Sequence, residues 1–156
     1  MADIDSDGPF SAFPGVERWF AVLAGVGVAL TFAAGERHVL CGDPPLAFDG
    51  GAAPECRLLD GPTRDLNLMS TGKRSTMRAV VPGAAWDEPF AMRGLFTGSA
   101  GRWSADGKKC DLGAHTLLWE DAAQPGEWRF EPAGPAAGAC GWWLGFTPVN
   151  VPVLVR

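Results

Sequence analysis

The chain of 156 residues contains no tyrosine and only two histidines, and its basic residues are outnumbered by its acidic ones. Lysine and arginine total 13 against 18 aspartates and glutamates, which gives a formal net charge of −5 at pH 7. A general nucleic-acid-binding protein needs a basic face, and this balance does not favour one. We therefore expect no nucleic-acid partner.

Metal-ligating residues are sparse and scattered. The histidines, His38 and His115, are far apart, and the four cysteines, Cys41, Cys56, Cys110 and Cys140, form no CxxC pair. A metal site in a β-barrel commonly uses two histidines one residue apart, a glutamate and a later histidine, and His38-Val39-Leu40 lacks the second histidine. The sequence therefore predicts no metal and no other cofactor.

Long apolar runs are also missing. The longest, residues 20–34, is interrupted by Gly25, Gly27 and Thr31 and is shorter than the roughly 20 residues that a membrane-spanning helix needs. The chain starts with the acidic stretch 1–7, whereas a signal peptide starts with a basic region followed by an apolar one. We expect a cytoplasmic protein with reduced thiols and no membrane partner.

Glycine and proline are abundant, at 21 and 13 residues, and hydrophobic residues make up 47% of the chain. Short segments of β-favouring residues alternate with turn residues along the chain, and no segment has a convincing helical apolar stripe. Residues 82–85 are the best candidate for a helix start or linker. The pattern predicts an all-β fold, either a sandwich or a barrel.

A weak internal repeat runs through the chain. Residues 46–49 and 54–58 are echoed by residues 117–120 and 125–130, each copy reading as strand, acidic turn, proline and strand. Chance resemblance in a turn-rich chain is an alternative. If the repeat is real, two similar β units join near residues 82 and 83.

The densest polar stretch is residues 61–69. If it is a strand, Asp65, Asn67 and Met69 share one face, because alternate side chains of a strand point the same way. An acid, an amide and a thioether in line suit the lining of a small-molecule pocket. The alternative is the solvent face of an edge strand.

Two arginines are candidate pocket residues. Arg57 lies in an otherwise apolar strand and needs a partner, either a bound anion or a carboxylate such as Asp65. Arg18 opens an earlier strand, and an exposed strand-end position is the better interpretation for it. The candidate ligand-binding residues are thus Arg57, Asp65, Asn67, Met69 and Arg18, and none is assigned a catalytic role.

Several ordered motifs resemble one family. Residues 7–18 resemble the GPFS-x-FPG-x-x-R segment of the HutD/Ves family, and residues 37–40, 46–50 and 56–69 match its continuation in order. The resemblance implies a bicupin, that is, two small cupin-like jelly-roll barrels at residues 1–82 and 83–156, packed as one compact domain. It carries Arg57, Asp65, Asn67 and Met69 onto the family motif most suited to line the pocket.

The resemblance also implies a role in bacterial histidine catabolism. Members are thought to modulate expression of the degradation genes by sensing a pathway metabolite, which suggests a non-enzymatic protein that binds a small carboxylate of the urocanate, formiminoglutamate or formylglutamate type. One alternative is a metal-free cupin enzyme that acts on a small polar substrate, with Asp65 as general base. Another is a protein-interaction module without a pocket.

The start of the chain departs from the family. Members usually carry a further segment there, which includes a Trp-Lys-Asn-Gly-Gly-Gly stretch that this chain lacks. We expect its absence to leave a sheet edge or groove uncovered, and unpaired edges favour association. A homodimer is therefore a possible state.

Overall fold

Fifteen β-strands build the described part of the protein. The computed structural model describes residues 1–71, 73–121, 125–135 and 138–148, and these contain one 3-10 turn, Gly50–Ala52, and no α-helix. The strands are β1 (Ala2–Ile4), β2 (Gly8–Pro9), β3 (Glu17–Ala24), β4 (Gly27–Phe32), β5 (Gly35–Leu40), β6 (Leu46–Asp49), β7 (Glu55–Leu58), β8 (Thr63–Ser70), β9 (Lys73–Ala79), β10 (Met92–Thr97), β11 (Gly101–Ala105), β12 (Lys108–Leu112), β13 (Leu117–Glu120), β14 (Arg129–Pro132) and β15 (Gly141–Pro148).

The strands form four antiparallel sheets. Sheet I has the order β1-β8-β3-β6 and sheet II the order β2-β7-β4-β5. Sheet III has the order β9-β15-β10-β13 and sheet IV the order β12-β11-β14. The chain completes sheets I and II before it builds sheets III and IV.

Three apolar cores join the sheets in the order II, I, III, IV. The first core lies between sheets I and II and contains Phe20 and Leu30. The second lies between sheets I and III, where Ala21 meets Trp142. The third lies between sheets III and IV and contains Trp143. Because sheets I and III are covered on both faces, their central strands β3 and β15 are nearly continuous apolar runs.

The all-β class predicted from the sequence is confirmed, but the sheets of each half do not close into barrels. Strand β2, at one edge of sheet II, contains Pro9. Proline has no backbone N–H to continue a ladder, so it suits an edge strand. An isolated bridge between Val22 and Cys41 links sheets I and II.

The internal repeat corresponds to equivalent strand positions. Strand β6 is the edge of sheet I beside β3, and β13 is the edge of sheet III beside β10. Likewise β7 neighbours β4, and β14 neighbours β11. Strand β9 precedes residue 82 but pairs with β15 in sheet III. The unit boundary at residues 82 and 83 stays a prediction.

The candidate helix start at residues 82–85 is a turn. Gly83 has φ of 72°, which a right-handed helix does not accommodate. Trp86 then forms an antiparallel bridge with Trp128. The strands β1 and β2 were not predicted, because three and two residues of mixed polarity carry no readable alternation.

Candidate functional site

One cavity lies at an end of the sandwich formed by sheets I and II. Its volume is about 240 Å³. Strands β3 and β8 supply its polar groups, and the amino-terminal stretch supplies much of its apolar wall. The lining residues are Ala2, Ile4, Pro9, Phe10, Ser11, Phe13, Arg18, Asp65 and Asn67, and we call this space the Arg18 cavity.

Register brings the polar groups together. Strands β3 and β8 are antiparallel, with Arg18 opposite Met69 and Phe20 opposite Asn67. Arg18 shares a face with the core residue Phe20, so it points between sheets I and II rather than into solvent. The residue is 7% exposed. The sequence interpretation of Arg18 as an exposed strand-end residue is therefore wrong.

A hydrogen-bonded chain links Arg18, Asn67 and Asp65. Nε of Arg18 donates to Oδ1 of Asn67 at 2.8 Å, and Nδ2 of Asn67 donates to Oδ2 of Asp65. The two contacts fix the orientation of the amide, since Oδ1 must accept and Nδ2 must donate. The guanidinium is thereby held by its Nε edge.

The outer end of the Arg18 guanidinium has no polar partner among the described residues. Within the described ranges, Nη1 and Nη2 form no hydrogen bond or ion pair. The guanidinium carbon lies 4.2 Å from the centroid of the Phe10 ring and 5.6 Å from that of Phe48. Stacking and the Nε contact fix the plane of the group, which leaves the N–H groups of the two terminal nitrogens available for an anion.

Burial shifts the pKa values of the charged groups at this site. Asp65 is 1% exposed, and burial raises the pKa of its carboxyl, while the Asn67 hydrogen bond and the Arg18 charge oppose the rise. Burial also lowers the pKa of Arg18, against the attraction of Asp65. Oδ1 of Asp65 is buried and has no hydrogen-bond partner among the described residues.

Two of the predicted site residues lie outside the cavity. Met69 shares the face of Asp65 and Asn67 as expected, but it is 40% exposed and does not line the cavity. Arg57 was expected to point into the same cavity as Asp65, and this is wrong. Its neighbour Cys56 faces the core, so Arg57 faces outward and pairs with Glu36 at 3.5 Å.

The sequence analysis did not single out the apolar lining. Phe10 lies within the GPFS segment, so the motif itself was the available signal. Ala2 and Ile4 come from β1, whose pairing with β8 places Ala2 opposite Asp65. A strand of three residues is too short for its sequence to predict this pairing.

The described residues offer neither a metal cluster nor a membrane-spanning helix. These residues contain no group of three or more histidine, cysteine, aspartate or glutamate side chains placed to hold a metal ion. They form no helix with the length and hydropathy of a membrane span. The four cysteines are free thiols.

Sequence comparison finds two informative relatives. An uncharacterised 21.2 kDa protein in the hutC 3′ region of Pseudomonas putida is 36% identical over 78 residues, which cover 50% of this chain and 41% of that protein. The match thus spans less than half of that relative's length. Protein Ves of Citrobacter koseri is 29% identical over 155 residues, which cover 97% of this chain and 79% of that protein.

Solved structures share the fold. The conserved protein of unknown function PA5104 from Pseudomonas aeruginosa PAO1 superposes with a TM-score of 0.80 at 27% identity, over 94% of this chain and 79% of that one. HutD from Pseudomonas fluorescens SBW25, in a formate condition, gives 0.76 at 25% identity, over 93% and 75%. Ylba from E. coli gives 0.60 at 10% identity, over 97% and 77%, and shows likeness of fold alone. The HutD family model matches residues 1–137, and the chain therefore belongs to the HutD family.

Proposed function

We propose that this protein binds a small carboxylate metabolite, without turning it over, and thereby modulates histidine utilisation. The observation that carries the proposal is Arg18: a buried guanidinium in a cavity, held by Asn67 and Phe10, with both terminal nitrogens free of hydrogen bonds within the described residues. A planar guanidinium can hold a carboxylate through two parallel hydrogen bonds.

The surroundings of Arg18 strengthen such a contact. Phe10 covers one face of the guanidinium and limits competing water there, and the burial of Arg18 increases its attraction for an opposite charge. Asn67 uses one N–H on Asp65, which leaves its second N–H for a carbonyl or formyl oxygen of the ligand. Asp65 orients Asn67 and does not contact the anion directly, because two nearby negative charges repel.

The family and the size of the cavity limit the range of candidate ligands. A volume of about 240 Å³ suits a small metabolite rather than a peptide or nucleotide. Membership of the HutD family and a relative named for the hutC region support a pathway of histidine breakdown. Urocanate, formiminoglutamate and formylglutamate all carry a carboxylate for Arg18.

The proposal includes the organisation of the chain. Two cupin-like units, residues 1–82 and 83–156, are supported by equivalent sheet orders in the two halves and by the fold likeness to Ylba. A homodimer is part of the same proposal, and light scattering of the eluting protein would measure it.

Calorimetric titration with each pathway carboxylate tests the function. Arg18→Gln should weaken binding by roughly tenfold to a hundredfold, because each hydrogen bond to a charged group contributes about 1.5–3 kcal/mol. Arg57→Gln is the matched control, since this exposed arginine lies outside the cavity, and it should bind as the wild type does. Absence of binding below millimolar concentration, or equal binding by Arg18→Gln, would contradict the proposal.

A metal-free enzyme is the second candidate, favoured by one observation. Asp65 is a buried carboxyl with a raised pKa and one oxygen without a partner in the described residues, as a general base often is. The same carboxylates would then be consumed. A proton NMR time course separates the two: an unchanged spectrum supports a binding protein, and product signals lost in Asp65→Asn support the enzyme.

A further inference from the structure

The second half of the chain has its own cavity, between sheets III and IV. Its volume is about 200 Å³, and it is separate from the Arg18 cavity in all its lining residues. Two tryptophans, Trp103 and Trp128, face this cavity, whereas the Trp119 ring lies on the other face of sheet III against Phe146. We call this space the tryptophan cavity.

Arg93 in this cavity occupies the position that Arg18 has in the first half. Arg93 lies on the central strand β10 opposite Glu120 on the edge strand β13, as Arg18 on β3 lies opposite Phe48 on β6. Unlike Arg18, Arg93 is held by the protein at its terminal nitrogens. Nη1 donates to the carbonyl of Gly126 at 2.7 Å, and Nη2 lies 3.8 Å from Glu120. The tryptophan cavity therefore does not repeat the carboxylate chemistry of the first.

Charges of both signs surround the indole surface. The hairpin between β11 and β12 turns at Asp106 and Gly107, whose φ values of 48° and 76° are those of a type I′ turn. This turn places Asp106 and Lys108 at the cavity, and the end of β13 adds Glu120. Among the described residues, the side chains of Asp106 and Lys108 form no ion pair.

The carboxylate of Glu120 can also accept a further hydrogen bond. Its Oε2 is buried and has no hydrogen bond in the described chain, because the distance of 3.8 Å to Arg93 is too long for one. The indole N–H of Trp103 is likewise buried without an acceptor among those residues. A ligand that donates to Glu120 would satisfy a group that the protein leaves unmet.

We propose that the tryptophan cavity binds a free α-amino acid with an aromatic or apolar side chain. The ammonium group interacts with Glu120 and Asp106, the carboxylate interacts with Lys108, and the side chain packs on the indoles of Trp103 and Trp128. A zwitterion matches a cavity with both charge signs better than a pure anion or cation does, because each charge of the ligand is met by an opposite one. Indole surface favours an apolar or aromatic body.

The test compares three related molecules by calorimetry and tryptophan fluorescence of the full chain. Phenylalanine is the zwitterion, phenylpropionate lacks the ammonium group, and phenethylamine lacks the carboxylate. We expect phenylalanine to bind at least about tenfold more tightly than either analogue, since each loses a charged contact. Failure of phenylalanine and leucine to bind, or equal affinity for the three molecules, would overturn the proposal.

Variants assign the binding to this cavity. Lys108→Met and Glu120→Gln should each weaken phenylalanine binding by about tenfold. Lys109→Met is the matched control, because Lys109 is the next residue along β12 and does not line the tryptophan cavity. Both lysines are exposed, so neither change should prevent folding. Equal effects of Lys108→Met and Lys109→Met would overturn the assignment.

The outcome is independent of the Arg18 cavity. Arg18→Gln should leave phenylalanine binding unchanged, and Lys108→Met should leave binding of the pathway carboxylates unchanged. Loss of phenylalanine binding in Arg18→Gln would place the amino acid in the first cavity and overturn this inference.

Discussion

Arg18 and Arg93 lie at corresponding positions of sheets I and III, and each guanidinium lies over an aromatic ring. The distance from the guanidinium carbon to the ring centroid is 4.2 Å for Arg18 over Phe10 and 4.8 Å for Arg93 over Trp128. They differ in what their terminal nitrogens contact. Arg93 donates to the Gly126 carbonyl, whereas Arg18 is fixed through Nε and leaves its outer end toward the cavity. The corresponding positions in the two halves thus differ in whether the protein itself holds the terminal nitrogens of the arginine.

Asn67→Ala should lower the free energy of unfolding by about 1–3 kcal/mol. The change leaves Nε of Arg18 and Oδ2 of Asp65 without their shared partner in a largely buried site. Urea denaturation measures the effect. Arg57→Ala serves as the control and should change stability by less than about 0.5 kcal/mol, since it removes an exposed ion pair. An unaltered urea midpoint for Asn67→Ala would show that the chain of contacts does not stabilise the fold.

The stability difference between the wild type and Asp65→Asn should depend on pH. Burial raises the pKa of Asp65 in the folded state, so folding favours its protonated form. The contribution of Asp65 is therefore fully present below its ordinary value of 3.8 and is lost as pH rises through the folded pKa. Relative to Asp65→Asn, the wild type should become less stable from acid toward neutral pH, as measured by urea midpoints.

Asp3 provides a control of opposite sign for this pH dependence. The hydrogen bond from Arg64 holds the pKa of Asp3 below its ordinary value. Its contribution is present above the unfolded pKa and is lost as pH falls, so the difference between the wild type and Asp3→Asn should change in the reverse direction. The same trend in both variants would mean that burial does not raise the pKa of Asp65.

Gly101→Ala should destabilise the protein by about 1–3 kcal/mol through overpacking. A Cβ at this position would lie 2.4 Å from the carbonyl oxygen of Glu131 and 2.5 Å from the ring of Phe130. Gly113→Ala is the matched control, because its Cβ would come no closer than 3.6 Å, to the hydroxyl of Thr116. Thermal unfolding compares the two variants, and equal melting temperatures would contradict the close packing of sheet IV.

The cysteines should react with a thiol reagent at very different rates. Cys110 is exposed, while Cys56 is 3% exposed and burial raises the pKa of its thiol to about 11. At pH 8 we expect Cys110 to supply a fast phase that Cys110→Ser removes. Labelling of Cys56 should require denaturant. Rapid labelling of Cys56 in the native protein would show that the core between sheets I and II opens readily.

The shared face of the candidate strand within residues 61–69 was predicted correctly, because alternation is a local property of a strand. This segment forms most of β8, and Asp65, Asn67 and Met69 share a face as the period of two requires. Periodicity does not state which of two alternating faces is buried when both carry apolar residues. Leu66 and Leu68 pack toward sheet III, and Asp65 lies buried on the other face.

The arginine that contacts the polar face of β8 could not be identified from local sequence patterns. By itself the sequence determined an all-β chain and a polar face on β8, since composition, turns and alternation act over a few residues. Only the tertiary structure decided that Arg18 and not Arg57 meets this face, because the register of β3 against β8 joins residues that are 49 apart in sequence. Arg57 lies in sheet II, where Cys56 faces the core. Arg57, the next residue along β7, therefore faces Glu36 and solvent. Which charges meet is set by the pairing of distant strands, a relationship that neither segment encodes alone.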